Sequence, residues 1–237
     1  MLPRLKYSRV LLKLSGEAFG SSGRTIEPKK LRAIVRELKT LRRLGVEIGV
    51  VVGGGNIWRK REQGQGLEGV TADYLGLLAT VMNGLALRQA LLRFGVPAVV
   101  QSAIAFDLPL VEGLNGTRAR RELAQGKVVI LAGGTGQVGF TTDTAAAIGA
   151  GLIKAEVLIK TGPVDGVYTA DPRKVKTAKK FSSLTIREAL RCKLGVMDKQ
   201  AFILCQRKKI PIIVCRWRPG SLVRAVKGQS VGTLVSA

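Results

Sequence analysis

The sequence predicts an α/β fold with an open, mainly parallel sheet between two layers of helices. Apolar runs of strand length alternate with stretches of helical periodicity along the chain, which is typical of βαβ units. Three predicted strands end in glycine-rich turns, as strands of open α/β sheets often do. A chain of 237 residues fits one α/β domain, because such domains reach about 250 residues. We therefore predict a single domain over 1–237.

The first half of the chain contains two strands and two helices. An apolar run interrupted by one lysine predicts a strand over 10–14, and a second run predicts a strand over 46–52. Between them, apolar residues recur every three or four positions over 28–44, which predicts an amphipathic helix. A long helix follows over 73–94, with Asp73 as its N-cap. Gly95-Val96-Pro97 ends this helix.

The second half continues the alternation. Three short apolar strands are predicted over 98–101, 127–132 and 156–160. An Asp-Gly pair between apolar residues predicts a hairpin over 164–168. Helical patterns cover 185–192 and 198–207, a buried strand covers 210–215, and the tail over 231–235 is predicted as an edge strand.

Composition excludes several kinds of chemistry. The chain has no histidine, which removes Ser-His and Cys-His catalysis and His-ligated metals. The three cysteines are isolated and are predicted to be reduced core residues. Apolar runs fall well short of the ~20 residues of a membrane span, and no secretory signal is recognisable. We expect a cytoplasmic protein without membrane contact.

The charge is strongly positive. Lys and Arg number 39 against 16 Asp and Glu, giving a net charge of +23. Fourteen of the basic residues lie between Pro172 and Arg218. Such a run is often a solvated face, but a field of this sign also attracts phosphates and polyanions.

Glycine-rich turns point to phosphate binding. They occur at Ser15-Gly16, at 53–56 and at 133–136, each directly after a predicted strand. Since the carboxyl ends of parallel strands share one edge, these turns should meet at one crevice. Glycine lets backbone amides approach an anion closely, although βα loops also use glycine for ordinary tight turns. The P-loop, dinucleotide-binding and protein-kinase motifs are all absent from the sequence.

Longer motifs carry a resemblance to a known family. They are Leu-Leu-Lys-Leu-Ser-Gly-Glu-Ala at 11–18, Val-Val-Gly-Gly-Gly-Asn at 51–56, Thr-Ala-Asp at 71–73, Leu-Ala-Thr-Val-Met-Asn-Gly-Leu-Ala at 78–86, Gly-Thr-Gly at 134–136, Phe-Thr-Thr-Asp at 140–143, Val-Asp-Gly-Val-Tyr-Thr-Ala-Asp-Pro at 164–172 and Val-Met-Asp at 196–198. These motifs resemble those of the bacterial uridylate kinases of the amino-acid-kinase family. They occur in the same order and span nearly the whole chain. The resemblance implies the amino-acid-kinase (carbamate-kinase-like) fold and transfer of the ATP γ-phosphate to UMP, giving UDP for pyrimidine nucleotide synthesis. It also implies a homohexamer.

The resemblance assigns roles to individual residues. Catalytic roles fall to Lys13, Asp143 and Arg59. ATP binding falls to Lys13, Leu14, Ser15, Gly16, Gly55, Arg59, Gly162, Tyr168 and Asp171. UMP binding falls to Gly54, Asp73, Thr135, Gly136, Gln137, Val138, Gly139, Phe140, Thr141 and Thr142. Mg²⁺ is expected to be carried on the ATP phosphates, since the sequence has no acidic cluster for an all-protein site.

Some of these residues have simpler explanations. Asp73 and Asp143 could be helix caps, and Tyr168 a core tyrosine. Lys160 ends a strand at the same edge of the sheet and could contact the ATP phosphates or be a solvent-facing lysine. Phosphoryl transfer needs mainly positioning and charge neutralisation, so a site without histidine is adequate.

The chain also departs from the family pattern. Gln137-Val138-Gly139 replaces Asn-Pro and an aromatic residue, which predicts a freer loop and a larger uracil pocket. Gly162-Pro163 replaces polar residues near the adenine site. The 20–26 loop is shorter than the family's GTP-responsive segment, so allostery is less strongly predicted than catalysis.

Two other functions also fit parts of the sequence. Arg216-Trp217-Arg218 and the net charge suit a basic paralogue that binds nucleic acid; turnover of ATP and UMP discriminates it from an enzyme. The third possibility is a kinase of the same fold that phosphorylates an amino acid, glutamate or aspartate. The 78–86 block and Asp73 argue against it.

Overall fold

One nine-stranded sheet organises the chain. The computed structural model describes residues 5–21 and 23–237. The strands are β1 (Arg9–Leu14), β2 (Glu47–Val52), β3 (Ala98–Ser102), β4 (Glu112–Gly113), β5 (Val128–Ala132), β6 (Val157–Gly162), β7 (Ser183–Thr185), β8 (Ile212–Arg216) and β9 (Gly232–Ser236). Their order is β4-β3-β5-β2-β1-β6-β8-β9-β7, and β8 with β9 is the one antiparallel pair in the described sheet. The predicted open, mainly parallel sheet is confirmed.

Helices cover both faces of the sheet. They are α1 (Pro28–Arg43), α2 (Lys60–Gln63), α3 (Gly69–Arg93), α4 (Gly116–Ala124), α5 (Thr142–Ile153), α6 (Ile186–Arg191), α7 (Lys199–Lys208) and α8 (Ser221–Val226). One core contains apolar residues of α1, α3 and α8, and the other contains those of α4, α5, α6 and α7. The predicted α/β layering is thus confirmed, and α1, α6 and α7 lie within two residues of their predicted bounds.

Strand β1 shows how the alternation of side chains places the site. Val10, Leu12 and Leu14 belong to the core on the α1 side, whereas Leu11 belongs to the core on the α5 side. Because side chains along a strand alternate between faces, Lys13 points to the α5 side at the carboxyl end of β1. Its neighbour in the sheet is Lys160 of β6, paired in register with it.

Three predictions about elements are wrong. Helix α3 begins at Gly69, so Asp73 lies in its second turn and is not a cap; the buried Ala72 already donates its N–H to the carbonyl of Glu68, the residue before the helix. The tail is not an edge strand, because β7 pairs with β9 on the outside. The hairpin at 164–168 does not form.

The segment after β6 pairs over a longer distance than the Asp-Gly signal suggested. Phe181 N–H donates to the carbonyl of Val167, and Thr169 N–H donates to that of Lys179. A loop of about ten residues therefore separates the paired segments, rather than a two-residue turn. Tertiary pairing overrides the local turn preference of Asp165-Gly166 here.

Helix α3 is long and apolar enough to cross a membrane by length and composition alone. Its buried residues pack in the core beside β3 and β5 instead. The helix is therefore a core element of the fold and does not indicate a membrane protein.

A buried carboxylate links α1 to α8. The side chain of Glu37 accepts from the backbone N–H groups of Gly220 at 2.9 Å and Leu222 at 3.0 Å. Gly220 has no side chain to cap α8, so Glu37 does this from another helix. Unpaired helix N–H groups are costly when buried.

We expect Glu37→Ala to lower the free energy of unfolding by about 2 kcal/mol, the range for a lost cap and unsatisfied donors. Urea unfolding measures the change. The neighbouring exposed variant Arg36→Ala is the control and should change stability by less than about 0.5 kcal/mol. Equal stability of the two variants would contradict the capping role.

Candidate functional site

A small hollow lies at the carboxyl ends of β1 and β2. Its volume is about 190 Å³. The residues that line it are Lys13, Ser15, Gly16, Glu17, Gly53, Gly54, Gly55, Arg59 and Thr142. The first two glycine-rich turns therefore meet at one place, as predicted.

The third turn follows β5 at the same edge but takes a different part in the structure. Glycines 133 and 136 have left-handed backbones and lie against residues 102–104 after β3. No residue of 133–136 lines the hollow, whereas Thr142, later in the chain at the start of α5, does. Its glycines thus shape the loop before α5 rather than line the hollow.

Close backbone approach explains the glycines of the first two turns. A Cβ on Gly16 would lie 2.4 Å from the backbone nitrogen of Gly55, and a Cβ on Gly54 would lie 2.8 Å from Cβ of Ala79. A side chain on Gly16 would push the two turns apart, and one on Gly54 would push the second turn away from α3. At Gly55 the corresponding position meets only the guanidinium of Arg59, 3.7 Å away. The backbone of Gly55 is thus open to the hollow.

Lys13, Asp143 and Lys160 form a charged cluster beside the hollow. The ammonium of Lys13 lies 3.0 Å from Oδ1 of Asp143, and that of Lys160 lies 2.5 Å from Oδ2. The three side chains are only 11–15% exposed, so water screens them weakly. Adjacent lysines in a sheet repel each other, and Asp143 lies between them. It is the counter-ion that allows both to remain.

Burial and charge act in opposite directions on this cluster. Burial alone would raise the pKa of Asp143, but the two ammonium groups outweigh it and hold the pKa below its ordinary value. Burial lowers the pKa of Lys160, and Lys13 adds to this effect against the attraction of Asp143. Lys13 pairs with Oδ1 of Asp143 and also lines the hollow, so the same ammonium group is fixed by Asp143 and borders the hollow.

Arg59 also lines the hollow. Its guanidinium donates to Glu17 at 2.8 Å and is 40% exposed. Of the other residues assigned to ATP, Ser15 and Gly16 line the hollow. Leu14 is fully buried in the core and has only its backbone to offer.

Asp73 lies beside the loop before α5. Its carboxylate accepts from Lys60 Nζ at 2.7 Å and from the N–H of Gly139 at 3.0 Å. The Lys60 ammonium is the main cause that lowers the pKa of Asp73. The carboxylate thereby joins α3 to the altered Gln137-Val138-Gly139 segment.

The rest of this loop is exposed or half-buried. Thr135 contacts its neighbour Gln137 through its hydroxyl, and Phe140 is 44% exposed. Gly136 and Val138 are half-buried. Thr141 caps α5 by accepting from the N–H of Asp143, so Asp143 is not itself the cap.

Asp198 ties the starts of α5 and α7 together. It accepts from the hydroxyls of Thr141 at 2.5 Å and Thr144 at 2.9 Å, and from the N–H of Ala201 at 2.7 Å. Sequence reasoning predicted a helix start here but no link to α5. The signal in the sequence was Asp198 itself, an aspartate at the start of a predicted helix.

A larger cavity of about 370 Å³ lies beyond β6, between the 164–173 and 192–196 segments. It contains Tyr168 and Asp171. The Tyr168 hydroxyl donates to Asp165 at 2.7 Å, and Arg173 lowers the pKa of Asp171 to about 2. Gly162 lies apart from it, in a cavity of about 580 Å³ with Ser15 and Trp217.

Lys160 and Trp217 are both partly buried in the folded chain. Lys160 is not solvent-facing but half-buried against Asp143. In the Arg216-Trp217-Arg218 cluster, Arg216 donates to the carbonyl of Pro163, and Trp217 packs partly buried against the core. Trp217 also lines the cavity of about 580 Å³ that contains Gly162.

Asp143→Asn would leave the two ammonium groups without a counter-ion. We expect it to lower the free energy of unfolding at pH 7 by about 3 kcal/mol, the lower end for breaking a buried pair. Since the folded-state pKa is depressed, Asp143 stabilises the fold above the ordinary pKa of 3.8. This contribution disappears as the pH falls through the lower folded-state value.

Urea unfolding from pH 7 to pH 3 measures this dependence, with exposed Asp107→Asn as the matched control. The stability difference between wild type and Asp143→Asn should shrink toward low pH. A difference that stays constant with pH, or that matches the control, would contradict the counter-ion role.

Comparisons with known proteins agree with this arrangement. Residues 8–216 match the model of the amino acid kinase family. A UMP kinase structure from Bacillus anthracis is similar, with 34% identity, a TM-score of 0.92 and coverage of 97% of this chain and 96% of that one. A UMP kinase from Ureaplasma parvum has 31% identity, a TM-score of 0.89 and coverage of 98% and 100%. A uridylate kinase from Archaeoglobus fulgidus has 30% identity, a TM-score of 0.77 and coverage of 96% and 99%. The chain therefore belongs to the amino acid kinase family.

Proposed function

We propose that the protein transfers the γ-phosphate of ATP to UMP, giving UDP, in the cytoplasm. The observation that carries the proposal is the hollow at the ends of β1 and β2, where two glycine-rich turns and Lys13 face one another. The similarity to UMP kinase structures over nearly the whole chain supports the choice of UMP. The same similarity does not favour a non-enzymatic, nucleic-acid-binding paralogue.

The acceptor side would be formed by Gly54, Asp73 and the loop from Thr135 to Thr142. Gly54 offers a backbone amide, and Thr141 and Thr142 lie at the start of α5, where the helix dipole favours a phosphate. Asp73 would accept from ribose hydroxyls. Because Lys60 and the N–H of Gly139 now occupy its carboxylate, the ribose would compete with the loop for it.

The donor side would be formed by the first turn and the segment after β6. Ser15, Gly16, Gly55 and Arg59 would contact the ATP phosphates, with Arg59 as a planar cation suited to phosphate oxygens. Tyr168 and Asp171 would lie at the nucleoside end, and Gly162 would border the nucleotide from the neighbouring cavity that also contains Ser15. Arg173 would have to yield part of the Asp171 carboxylate to the nucleotide.

Magnesium would arrive on the ATP phosphates. Within 5–21 and 23–237, no group of three or more acidic, cysteine or histidine side chains could hold a metal, and Asp143 is already paired with two lysines. Such an ion would neutralise phosphate charge.

The reaction itself would rest on positioning. The acceptor is already an ionised phosphate oxygen, so no general base is required. Lys13 would neutralise charge on the phosphoryl group in transit, and Asp143 would hold Lys13 at the strand end. Arg59 would meet the same charge from across the hollow.

Removal of the Lys13 charge tests the proposal. We expect Lys13→Met to lower kcat for UDP formation by about 10²- to 10³-fold, the range for a lost transition-state contact, with the fold retained. A coupled ADP-release assay with UMP measures the rate, and exposed Lys29→Met is the control. No UDP from wild type, or near-normal turnover by Lys13→Met, would contradict the proposal.

We also propose the homohexamer that the family resemblance implies. Helix α3 carries a stripe of exposed apolar side chains one turn apart, Val70, Tyr74, Leu78 and Met82, which are 40–53% exposed. A stripe of this kind is typical of an interface. Six chains of +23 each would repel one another strongly, so assembly should need counter-ions.

Light scattering at moderate salt tests assembly. Wild type should have the mass of six 25.3-kDa chains, and Leu78→Glu/Met82→Glu should form smaller species. Exposed Ile148→Glu on α5 is the control and should leave the mass unchanged. A wild-type monomer, or a double variant with wild-type mass, would count against the interface.

A further inference from the structure

Lysines occupy backbone positions that usually belong to glycine. Within residues 5–21 and 23–237, the non-glycine residues with positive φ are Lys154, Lys193 and Lys209, at φ of 55°, 49° and 53°. A side chain in this left-handed region is strained, which is why glycine normally ends helices there. A strained backbone of this kind often marks a residue that has a functional role.

Two of these lysines lie at neighbouring helix ends. Lys154 is the C-cap of α5 and Lys209 is the C-cap of α7, and the two helices pack side by side. The aliphatic stem of Lys208 lies 3.7–3.9 Å from where a Cβ on Gly151 would be. Arg120 donates to the carbonyl of Leu152 at 2.7 Å. Arg207 precedes Lys208 in the last turn of α7. We call Arg120, Lys154, Arg207, Lys208 and Lys209 the basic corner.

The basic corner is poorly neutralised. Lys154, Arg207, Lys208 and Lys209 are exposed, and Arg120 is half-buried. None of the five belongs to an ion pair in the described part of the chain. Cations do favour helix C-termini, but Arg207 and Lys208 supply that charge to α7 without a strained backbone. The helix dipole therefore does not account for Lys209.

The corner is separate from the nucleotide crevice. Helices α5 and α7 begin beside the crevice, at Thr142 and after Asp198, and end at the corner. At 1.5 Å per residue, their 12 and 10 residues place it about 15 to 18 Å away.

The composition and shape of the basic corner favour one class of polyanion. Residues 116–127, 150–156 and 204–212 include no exposed large apolar side chain, whereas membrane-binding surfaces combine cations with inserted apolar groups. Four of the five cations lie at the C-terminal ends of α5 and α7 and not along one helix flank, so the corner differs from a recognition helix in a DNA groove. A flexible single strand can follow such a corner, while duplex DNA resists bending.

We propose that the basic corner binds the phosphate backbone of single-stranded RNA. The contacts are electrostatic and independent of sequence, and the +23 net charge draws the strand in. The proposal does not depend on the kinase function.

Fluorescence anisotropy of the full chain with a labelled mixed-sequence RNA of about 30 nucleotides tests it, from about 50 to 200 mM salt. Wild type should bind with a steep salt dependence. Lys154→Gly/Lys208→Gln/Lys209→Gly should reduce the slope of log K against log salt by about 2, at about 0.7 for each lost contact. Glycine suits two of these positions, so the variant should unfold at the same or a higher temperature.

Lys29→Gln/Arg32→Gln/Arg36→Gln is the matched control, because it removes the same charge from exposed positions of α1 on the other side of the sheet. It should change the slope much less. An equal change in the two variants would mean that net charge alone binds RNA and would overturn the proposal. So would displacement of RNA by saturating UMP and ADP, tighter binding of duplex DNA, or preferential binding to phosphatidylserine vesicles.

Discussion

Two neighbouring lysines with one carboxylate between them are the constraint on which the site depends. Parallel pairing of β1 with β6 places Lys13 and Lys160 side by side on the same face of the sheet. Their repulsion is tolerable only with Asp143 at the start of α5, 2.5 and 3.0 Å from the two ammonium groups. The position of α5 is in turn set by the glycine-rich loop after β5 and by Asp198, which joins it to α7. The register of the sheet, the loop after β5 and the start of α5 therefore act together to keep Asp143 between the two lysines.

The other polar groups of the site also have partners within the protein. Arg59 contacts Glu17, Asp73 contacts Lys60, and Asp171 contacts Arg173. Nucleotide binding would exchange these exposed or half-exposed ion pairs, which contribute little to stability, for contacts to phosphate and ribose. The buried Lys13–Asp143–Lys160 cluster would stay in place during the exchange. Such a division keeps the charge at the point of transfer fixed while the surrounding groups adapt to the substrates.

The sequence predicted the parallel sheet and the meeting of two glycine-rich turns well, because apolar runs and strand-end glycines are local signals. It failed where distant packing decides the outcome. Helix α3 has a further turn before Asp73 that contains the buried Ala72, pairing of Val167 with Phe181 replaces the Asp-Gly hairpin, and β7 covers the predicted edge strand. The partners of Asp73 and Lys160 were also out of reach, since Lys60 and Gly139 approach Asp73 only in the folded chain. Residue types were visible in the sequence, but their partners were not.

The central claim is that one fixed ammonium group serves two nucleotides in a single hollow. A crystal structure with UMP and a non-hydrolysable ATP analogue tests it most directly. The account predicts that the γ-phosphate of the analogue and the phosphate of UMP both enter the hollow lined by Gly16, Gly54 and Gly55, with the Lys13 ammonium in contact with the γ-phosphate and still beside Asp143. Nucleotides bound with their phosphates outside this hollow, or Lys13 turned away from both, would contradict it.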